Sequence, residues 1–523
     1  MIAPEGEGLQ KEEHGCPLLR MKSTMTHPFA RLTPSNAVIS LILFSFLVRV
    51  LFAVSIGLGI DESYMVAAGR GIQISYFDHP PIAWWLSWGA AHLAGSEAPI
   101  VVRLPFIVLF AFSTWVMFRL TGYLFSDRAG LWAAIAFNLS PVIGITSASW
   151  VLPDGPLICA LLLSAYCLAR GVFDQTGSTT RWWVSCGACA GVALLSKYSA
   201  MLSLAGAGLF LITAPAGRRW LAKPQPYIAA AVALLLFLPV ILWNAEHHWA
   251  SFSFQGERAA GTRFHPWNPL ITLAGEALFL LPWIWLLLFA EFVKTVCGGP
   301  KDERRWLLCC LAAGAVLLFV LISAWSSQRI LFHWATPGYL MLFPLAGDWL
   351  AHQKIIRASW LRVGLIATLT VVLAGVSIVA TEINFHWIPS VVGDFKKTTD
   401  HESDAIDWWS LRPQLVERGL LERGNLFVGA TNWHNAGKID YALGGAVPVV
   451  CLGSDPRQYG LTHPLAAQLG LDALILDQHM TLESVQDAYG ARFDSVEELP
   501  PLQVMHAGRV ALRFNLFLAH RLH

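Results

Sequence analysis

Charged side chains are scarce in this chain. Only 14% of its 523 residues are charged, whereas ordinary soluble domains carry roughly 25%. This excludes a soluble enzyme and a disordered scaffold. Lys and Arg number 36 against 35 Asp and Glu, so there is no basic excess to hold a nucleic acid. With 55% hydrophobic residues and a mean hydropathy of +0.52, the composition predicts an integral membrane protein.

Several signals of other protein classes are also missing. No Gly-rich nucleotide-binding loop is present, so no nucleotide cofactor is expected. No internal repeat of the kind typical of transporters is visible. Among the nine cysteines only Cys451 follows residue 381, which excludes a disulfide within the C-terminal part. Cys186 and Cys189 have CxxC spacing, but they lie in an apolar segment and are interpreted as packing residues.

Long apolar segments dominate the first 380 residues. A helix needs about 20 apolar residues to cross a bilayer, and on this basis we predict eleven spans, at 37–58, 99–120, 129–148, 155–170, 182–196, 199–214, 226–243, 269–293, 306–324, 334–350 and 360–380. The basic residues concentrate on alternate connections, which predicts a cytoplasmic N-terminus and an exterior C-terminus. The polar residues 1–36 are expected to form a disordered cytoplasmic tail.

Residues 381–523 have the composition of a water-soluble domain. The runs 426–430, 447–450 and 473–476 read as strands and alternate with polar, helix-compatible stretches. The predicted fold is therefore an α-helical polytopic membrane protein of about 11 transmembrane helices, spanning 37–380, with a small exterior α/β domain.

Acidic residues collect in the predicted outer loops, above all in the first outer loop, residues 61–98. Asp61 follows the first span directly and is expected at the start of a short helix, as a simple cap or as a functional carboxylate. Asp78 and His79 precede paired prolines and a Trp-rich segment typical of the membrane interface. Such a group could hold a divalent cation or a lipid phosphate; a hydrated turn is the alternative.

Other polar residues are expected on the same side. Asp154 lies in a Pro-Asp-Gly turn and is either structural or part of the cavity. Lys197, at a helix end, either extends toward the interface or contacts a phosphate. Arg49, in the middle of the first span, must face the interior of the helix bundle. These residues alone do not distinguish a transferase from a transporter.

Short motifs follow one another over residues 37–350. They are Asp61-Glu62-Ser63-Tyr64, Tyr76-Phe77-Asp78-His79-Pro80-Pro81, Arg103-Leu104-Pro105, Pro153-Asp154-Gly155-Pro156, Leu194-Leu195-Ser196-Lys197-Tyr198 and the segment from Trp243 to Gln255. In this order they resemble the GT-C glycosyltransferases that use polyprenyl-phosphate sugars, in particular the branch of protein O-mannosyltransferases and lipid A aminoarabinose transferases.

The resemblance implies roles for individual residues. It places Asp61, with its neighbour Glu62, at the catalytic centre. It makes Asp78 a ligand of a possible divalent metal, with a His of the later loop as co-ligand, His265 ahead of His247 and His248. His79 stands where that branch usually carries Lys. A neutral imidazole supplies less charge, so donor-phosphate binding is expected to involve further cations as well. These are Lys197, Arg258, Arg263 and Arg329, while Tyr64, Tyr76 and Asp154 line the cavity.

The implied function is transfer of a single sugar from a polyprenyl-phosphate donor to an envelope acceptor. The acceptor would be a lipid A-type glycolipid, a polysaccharide or a protein, on the outer face of a bacterial inner membrane. Membrane lipids are further expected partners, and nucleic acid is not. A transporter or flippase of lipid-linked saccharides is the alternative; acids gathered at one interface and the lack of repeats favour the enzyme.

Overall fold

The computed structural model describes residues 33–174, 179–259, 263–326, 330–353, 355–388 and 404–523. The predicted disordered tail therefore lies outside the described residues, apart from its last four positions. Arg329 also lies outside them, and the side chain of Arg258 is not described.

The first part of the chain is helical. Its α-helices are, in order, α1 Pro34–Ser55, α2 Ile60–Ala68, α3 Ile82–Ala94, α4 Pro99–Leu124, α5 Asp127–Leu139, α6 Ser147–Ser149, α7 Asp154–Phe173, α8 Thr179–Leu194, α9 Ala200–Thr213, α10 Pro215–Leu221, α11 Gln225–Glu246, α12 Ala250–Ala259, α13 Asn268–Leu280, α14 Pro282–Gly298, α15 Glu303–Ser323, α16 Thr336–Leu340, α17 Phe343–Ala351 and α18 Ile355–Phe385. A π-helical turn, Val142–Thr146, lies between α5 and α6.

Within the described residues, seven helices are long and apolar enough to cross a membrane, and up to nine spans result if each bent pair counts as one. The predicted count of eleven is not confirmed. The predicted span 269–293 is divided into α13 and α14 at Leu281, whose backbone has a φ of 72° and which precedes Pro282. The span predicted at 334–350 forms the short helices α16 and α17.

The C-terminal domain, residues 404–523, is built around one five-stranded sheet. Its elements are α19 Leu411–Glu417, β1 Leu426–Ala430, α20 Trp433–Leu443, β2 Val449–Cys451, α21 Tyr459–Thr462, β3 Asp472–Asp477, α22 Leu482–Tyr489, β4 Phe493–His506 and β5 Arg509–Leu522. The strand order is β2-β1-β3-β5-β4. β1 pairs in parallel with β2 and β3, and β5 is antiparallel to both of its neighbours.

The hairpin of β4 and β5 was missed by the sequence analysis. β4 lies at the sheet edge and contains Pro500 and Pro501, where the pairing register shifts; proline is tolerated at edges and bulges. The turn places Ala507 and Gly508 at φ values of 50° and 75°, the positive values that a two-residue hairpin turn requires. Acidic residues in β4 obscured its alternating pattern.

The C-terminal domain packs directly on the first loop through helix α20. A Cβ atom on Gly437 would lie 2.8 Å from Cα of Tyr64, so α20 and α2 approach at backbone distance. Lys438 is buried and donates to the carbonyls of Leu58, at 2.6 Å, and Ile406, at 2.7 Å. Burial lowers the pKa of Lys438 to about 8, against the attraction of Asp407.

A charged cluster strengthens the same contact. Arg70 forms ion pairs with Glu97 at 2.7 Å and with Asp440 of α20 at 2.6 Å. Apolar residues of the first loop and of the C-terminal domain also share one hydrophobic core. The C-terminal domain therefore packs against part of the first loop.

Candidate active site

The two acids at the start of α2 have opposite environments. α2 begins at Ile60, so Asp61 and Glu62 occupy its first turn, where carboxylates are stabilised by the helix dipole. The helix start expected at this point is therefore found. Asp61 is exposed, whereas Glu62 is only 2% exposed. Of the predicted catalytic pair, Asp61 is the one accessible to a substrate.

Glu62 forms a buried ion pair with Arg103 of α4. Nε and Nη2 of Arg103 lie 2.8 and 2.6 Å from the two carboxylate oxygens. Arg103 also donates to the carbonyls of Ala53, Ile56 and Gly57 at the end of α1. Burial raises the pKa of Glu62, but Arg103 outweighs this and holds it below its ordinary value.

Both oxygens of Glu62 accept further hydrogen bonds from the backbone. The N–H groups of Gly59 and Val151 donate to them at 2.9 and 3.0 Å. Each oxygen of the Glu62 carboxylate thus accepts two hydrogen bonds. Through these bonds and through Arg103, Glu62 connects α2 with the end of α1, with α4 and with the segment before α7. In the sequence, Arg103 stands out only as part of a motif, because its partner Glu62 lies 41 residues away.

Asp78 is the central carboxylate of the first loop. It is 3% exposed; its Oδ1 accepts a hydrogen bond from the hydroxyl of Tyr64 at 2.6 Å, and its Oδ2 lies 3.0 Å from Nη1 of Arg457. Burial raises the pKa of Asp78 to about 6, although Arg457 and Tyr64 oppose the rise. The charge of Asp61 contributes to it, so the two predicted acids belong to one electrostatic site.

The backbone around Asp78 is held from two sides. Ser251 of α12 donates to the carbonyls of Tyr76 and Phe77 at 2.9 and 2.7 Å, and Gln255 donates to the carbonyl of Asp78 at 2.7 Å. From the other side, the side chain of Gln458 accepts from the N–H of Phe77 at 2.9 Å. Helix α12 and the C-terminal domain therefore position the backbone of the site, and Ser251 and Gln458 were not predicted.

Arg457 reaches Asp78 from the C-terminal domain. Its guanidinium lies 3.5 Å from the ring centre of Trp433 and 5.5 Å from that of Phe254, distances at which the ring faces attract a cation. Its backbone has a φ of 47°, a conformation costly for a residue other than glycine. The sequence pattern did not place Arg457 in the first-loop site.

Asp154 and Lys197 form a second buried pair. Nζ of Lys197 lies 3.0 and 2.9 Å from the two oxygens of Asp154, and both side chains are largely buried. The carboxylate also experiences the charges of His333 and His79. Lys197, predicted to bind the donor phosphate, therefore already carries a partner, and His79 lies in the same electrostatic neighbourhood.

The remaining predicted residues lie in other environments. Tyr76 is buried and stacks on Trp84 with 4.3 Å between ring centres, so it supports the loop. Arg263 and His265 are exposed, and the N–H of His265 donates to the carbonyl of Ala324. The phosphate contacts predicted for Arg258 and Arg329 lie outside the described side chains.

The donor set for a metal ion is incomplete in the described residues. Within them, no group of three or more His, Cys, Asp and Glu side chains lies close enough to hold a metal ion. Both oxygens of Asp78 already have partners, a hydroxyl donor and a cation. The predicted pair of Asp78 and His265 does not fit a divalent ion in this arrangement.

Comparisons with known proteins agree with this architecture. Residues 78–243 match the model of the dolichyl-phosphate-mannose-protein mannosyltransferase family. The chain is 23% identical over 310 residues to the lipid A galacturonosyltransferase RgtD of Rhizobium johnstonii, covering 56% of this chain and 61% of that protein. It thus spans about three fifths of that relative's length.

Solved structures show the same fold over nearly the whole chain. ArnT from Cupriavidus metallidurans bound to undecaprenyl phosphate superposes with a TM-score of 0.62 and 14% identity, covering 92% of this chain and 97% of that one. Its apo form gives the same TM-score, with 93% and 98% covered. The comparisons therefore confirm the resemblance seen in the sequence: the chain has the GT-C glycosyltransferase fold.

Proposed function

We propose that this protein transfers a single sugar from a polyprenyl-phosphate donor to an envelope acceptor, on the outer face of a bacterial inner membrane. One observation carries the proposal: Asp61 is exposed at the start of a helix and interacts electrostatically with Asp78, which is buried and paired with Arg457. The relatives support the substrate class, since RgtD is a lipid A galacturonosyltransferase and an ArnT structure holds undecaprenyl phosphate.

The proposed reaction forms one bond and breaks another at the anomeric carbon. The acceptor oxygen attacks this carbon, and the bond to the phosphate oxygen breaks with its electron pair, so polyprenyl phosphate leaves. Asp61 accepts the proton of an acceptor hydroxyl. If the acceptor is a lipid phosphate, its oxygen is already anionic, and Asp61 orients it instead.

The other acids position the reacting groups in this proposal. Glu62 is enclosed by Arg103 and two backbone N–H groups, so it braces the helix that presents Asp61. Asp78 accepts a hydrogen bond from Tyr64 and pairs with Arg457, and these two contacts fix the first loop in place. We assign the donor phosphate to the neighbourhood of His79 and Lys197, where Asp154 holds the lysine Nζ.

The polyprenyl donor also suits the fold. Its tail can lie among apolar helices while the phosphate and sugar stay at the first loop, and no nucleotide is then needed. The acceptor classes remain those of lipid A-type glycolipids, polysaccharides and proteins; the relative RgtD favours a glycolipid. A flippase of lipid-linked saccharides would move the donor without breaking the sugar–phosphate bond.

The decisive experiment measures cleavage of the sugar–phosphate bond of the donor. Purified protein in lipid nanodiscs is supplied with a panel of polyprenyl-phosphate sugars and acceptor lipids, and release of free polyprenyl phosphate is measured. We expect release by the wild type and a loss of about 100-fold or more in Asp61→Asn. Glu246→Gln, which changes another exposed acid, is the matched control and keeps full activity.

Two results would contradict the proposal. Full transfer activity in Asp61→Asn would remove the catalytic role of Asp61. Movement of a labelled lipid-linked sugar across the bilayer, without any covalent product from the wild type, would instead establish the flippase.

A further inference from the structure

The backbone of Leu58 is held from both sides by the C-terminal domain. Its N–H donates to Oδ1 of Asp407 at 3.1 Å, and its carbonyl accepts from Nζ of Lys438 at 2.6 Å. Asp407 precedes α19 and Lys438 lies in α20, so two separate segments of the domain meet at one residue between α1 and α2. The partners lie 349 and 380 positions away from Leu58, a separation at which no local sequence pattern signals the contact.

Leu58 belongs to the short connection that orients α2. This connection, residues 56–59, lies between the end of α1 and the start of α2, and Asp61 follows Leu58 by three positions. It approaches the C-terminal domain at backbone distance, because a Cβ atom on Gly57 would lie 2.7 Å from the backbone nitrogen of Asp407. A movement of the domain at this point is therefore transmitted to the start of the helix that carries Asp61.

The two preceding carbonyls of the connection have a different partner. The carbonyls of Ile56 and Gly57 accept hydrogen bonds from Arg103 of α4. The last carbonyls of a helix lack partners within it and form the negative end of its dipole, which explains why cations gather at the end of α1. Among the described hydrogen bonds, the C-terminal domain contacts this connection only at Leu58.

Lys438 is a buried charge at this contact. It is 1% exposed, and its Nζ also donates to the carbonyl of Ile406 at 2.7 Å. Three acids favour its charged form and one arginine opposes it: Asp407, Glu62 and Asp404, and Arg103. A buried ammonium ion is costly unless hydrogen bonds and counter-charges compensate for the lost water. Burial nevertheless lowers the pKa of Lys438 to about 8, so this lysine loses its charge at lower pH than an exposed one.

We propose that Lys438 and Asp407 are positioning residues, which orient the helix presenting Asp61 by holding the peptide groups of Leu58. The inference rests on the proposed function, because it uses the role assigned to Asp61 there. The C-terminal domain then controls the geometry of the base. A role in domain docking alone would instead affect stability without changing the chemical step.

Hydrogen–deuterium exchange of the full-length protein in nanodiscs tests the contact without any substrate. In Lys438→Met and in Asp407→Ala the amides of residues 56–63 should exchange at least about tenfold faster, because each variant removes one hydrogen bond to Leu58. Asp407→Asn keeps an acceptor oxygen for the N–H of Leu58 and should restore most of the protection. Lys301→Met, the same change at an exposed lysine, is the matched control and should exchange like the wild type.

Transfer kinetics distinguish positioning from docking. Lys438→Met should lower kcat by about 10-fold or more with little change in the KM of the donor, because a misplaced base weakens the chemical step. In the wild type, kcat should also fall above about pH 8, where Lys438 loses its proton. Lys438→Met lacks the titrating group and should not show this alkaline limb, whereas Lys301→Met should retain it.

Two results would overturn the proposal. One is unchanged exchange at residues 56–63 in both Lys438→Met and Asp407→Ala. The other is a lower Tm with wild-type kcat and an unchanged alkaline limb, which would establish a role in docking alone. Absence of transfer by the wild type would contradict the proposed function itself, and the exchange measurement would still show whether the two residues hold Leu58. If Lys438→Met fails to fold, the comparison of Asp407→Ala with Asp407→Asn decides the question, because Lys438 stays in place.

Discussion

Nη1 of Arg457 lies 3.0 Å from Oδ2 of Asp78, although the two residues are 379 positions apart in the chain. The guanidinium is held against Trp433, so the C-terminal domain supplies part of the candidate site rather than merely covering it. The chemistry of the first loop therefore depends on a domain that follows the last span.

The first prediction concerns pH. Burial raises the pKa of Asp78 to about 6 while Arg457 opposes that rise. Below this pH the carboxyl is protonated and loses its ion pair, so kcat/KM should fall on the acid side of about pH 6. In Arg457→Gln the opposing charge is gone, and the acid limb should move to higher pH. A pH–rate profile measures the shift.

Two variants serve as controls for this shift. Arg457→Lys keeps the charge and should restore part of the wild-type profile, and Arg513→Gln, at an exposed position of β5, should leave it unchanged. An identical acid limb in the wild type and Arg457→Gln would contradict the role assigned to the pair.

The second prediction concerns the buried pair of Glu62 and Arg103. Glu62→Ala leaves the guanidinium of Arg103, which is 0% exposed, without its counter-charge. Removing one partner of such a pair costs about 3–5 kcal/mol of unfolding free energy. Thermal unfolding in detergent should show a large decrease in Tm.

A double variant distinguishes the effect of losing the ion pair on stability from the effect of changed side-chain packing. Glu62→Gln with Arg103→Met removes both charges and should be more stable than Glu62→Ala, because no uncompensated charge remains buried. A double variant that loses as much stability as the sum of both single changes would refute the coupling.

The third prediction concerns the close approach of α20 to α2. A Cβ atom at position 437 would lie 2.8 Å from Cα and Cβ of Tyr64, so Gly437→Ala should displace the C-terminal domain and separate Arg457 from Asp78. We expect lower transfer activity and faster proteolysis between the two parts. Gly490→Ala, where the nearest atom is 3.7 Å away, is the control; equal behaviour of the two variants would count against the contact.

The fourth prediction concerns a metal. Because the oxygens of Asp78 already bind Tyr64 and Arg457, we expect the transfer rate to be unchanged after treatment with a chelator. The assay is repeated with His265→Ala, which should also retain its rate. Loss of activity with the chelator, followed by recovery with added divalent ion, would contradict this expectation and support the predicted metal site.

Parts of the site could be predicted from short segments. Asp61 directly after an apolar span, and Asp78 before paired prolines, were recognised because local motifs carry them. The partners of Asp78 and Glu62 were not recognised, because they come from distant segments. The sequence around Arg457 is typical of a loop, and that around Arg103 is typical of a membrane span. The count of eleven spans is not confirmed for a related reason: Leu281 and the short helices after residue 335 divide apolar segments that hydropathy reads as continuous.

The sequence by itself determined that the chain lies in a membrane, that a soluble-type domain follows the last span, and that acids gather in the first loop. These properties depend on composition and local order, which hydropathy and spacing report directly. Only the tertiary structure decided which acid is exposed, which is buried in an ion pair, and that Arg457 meets Asp78. Burial and pairing depend on residues brought together from far along the chain, and no local pattern records that distance.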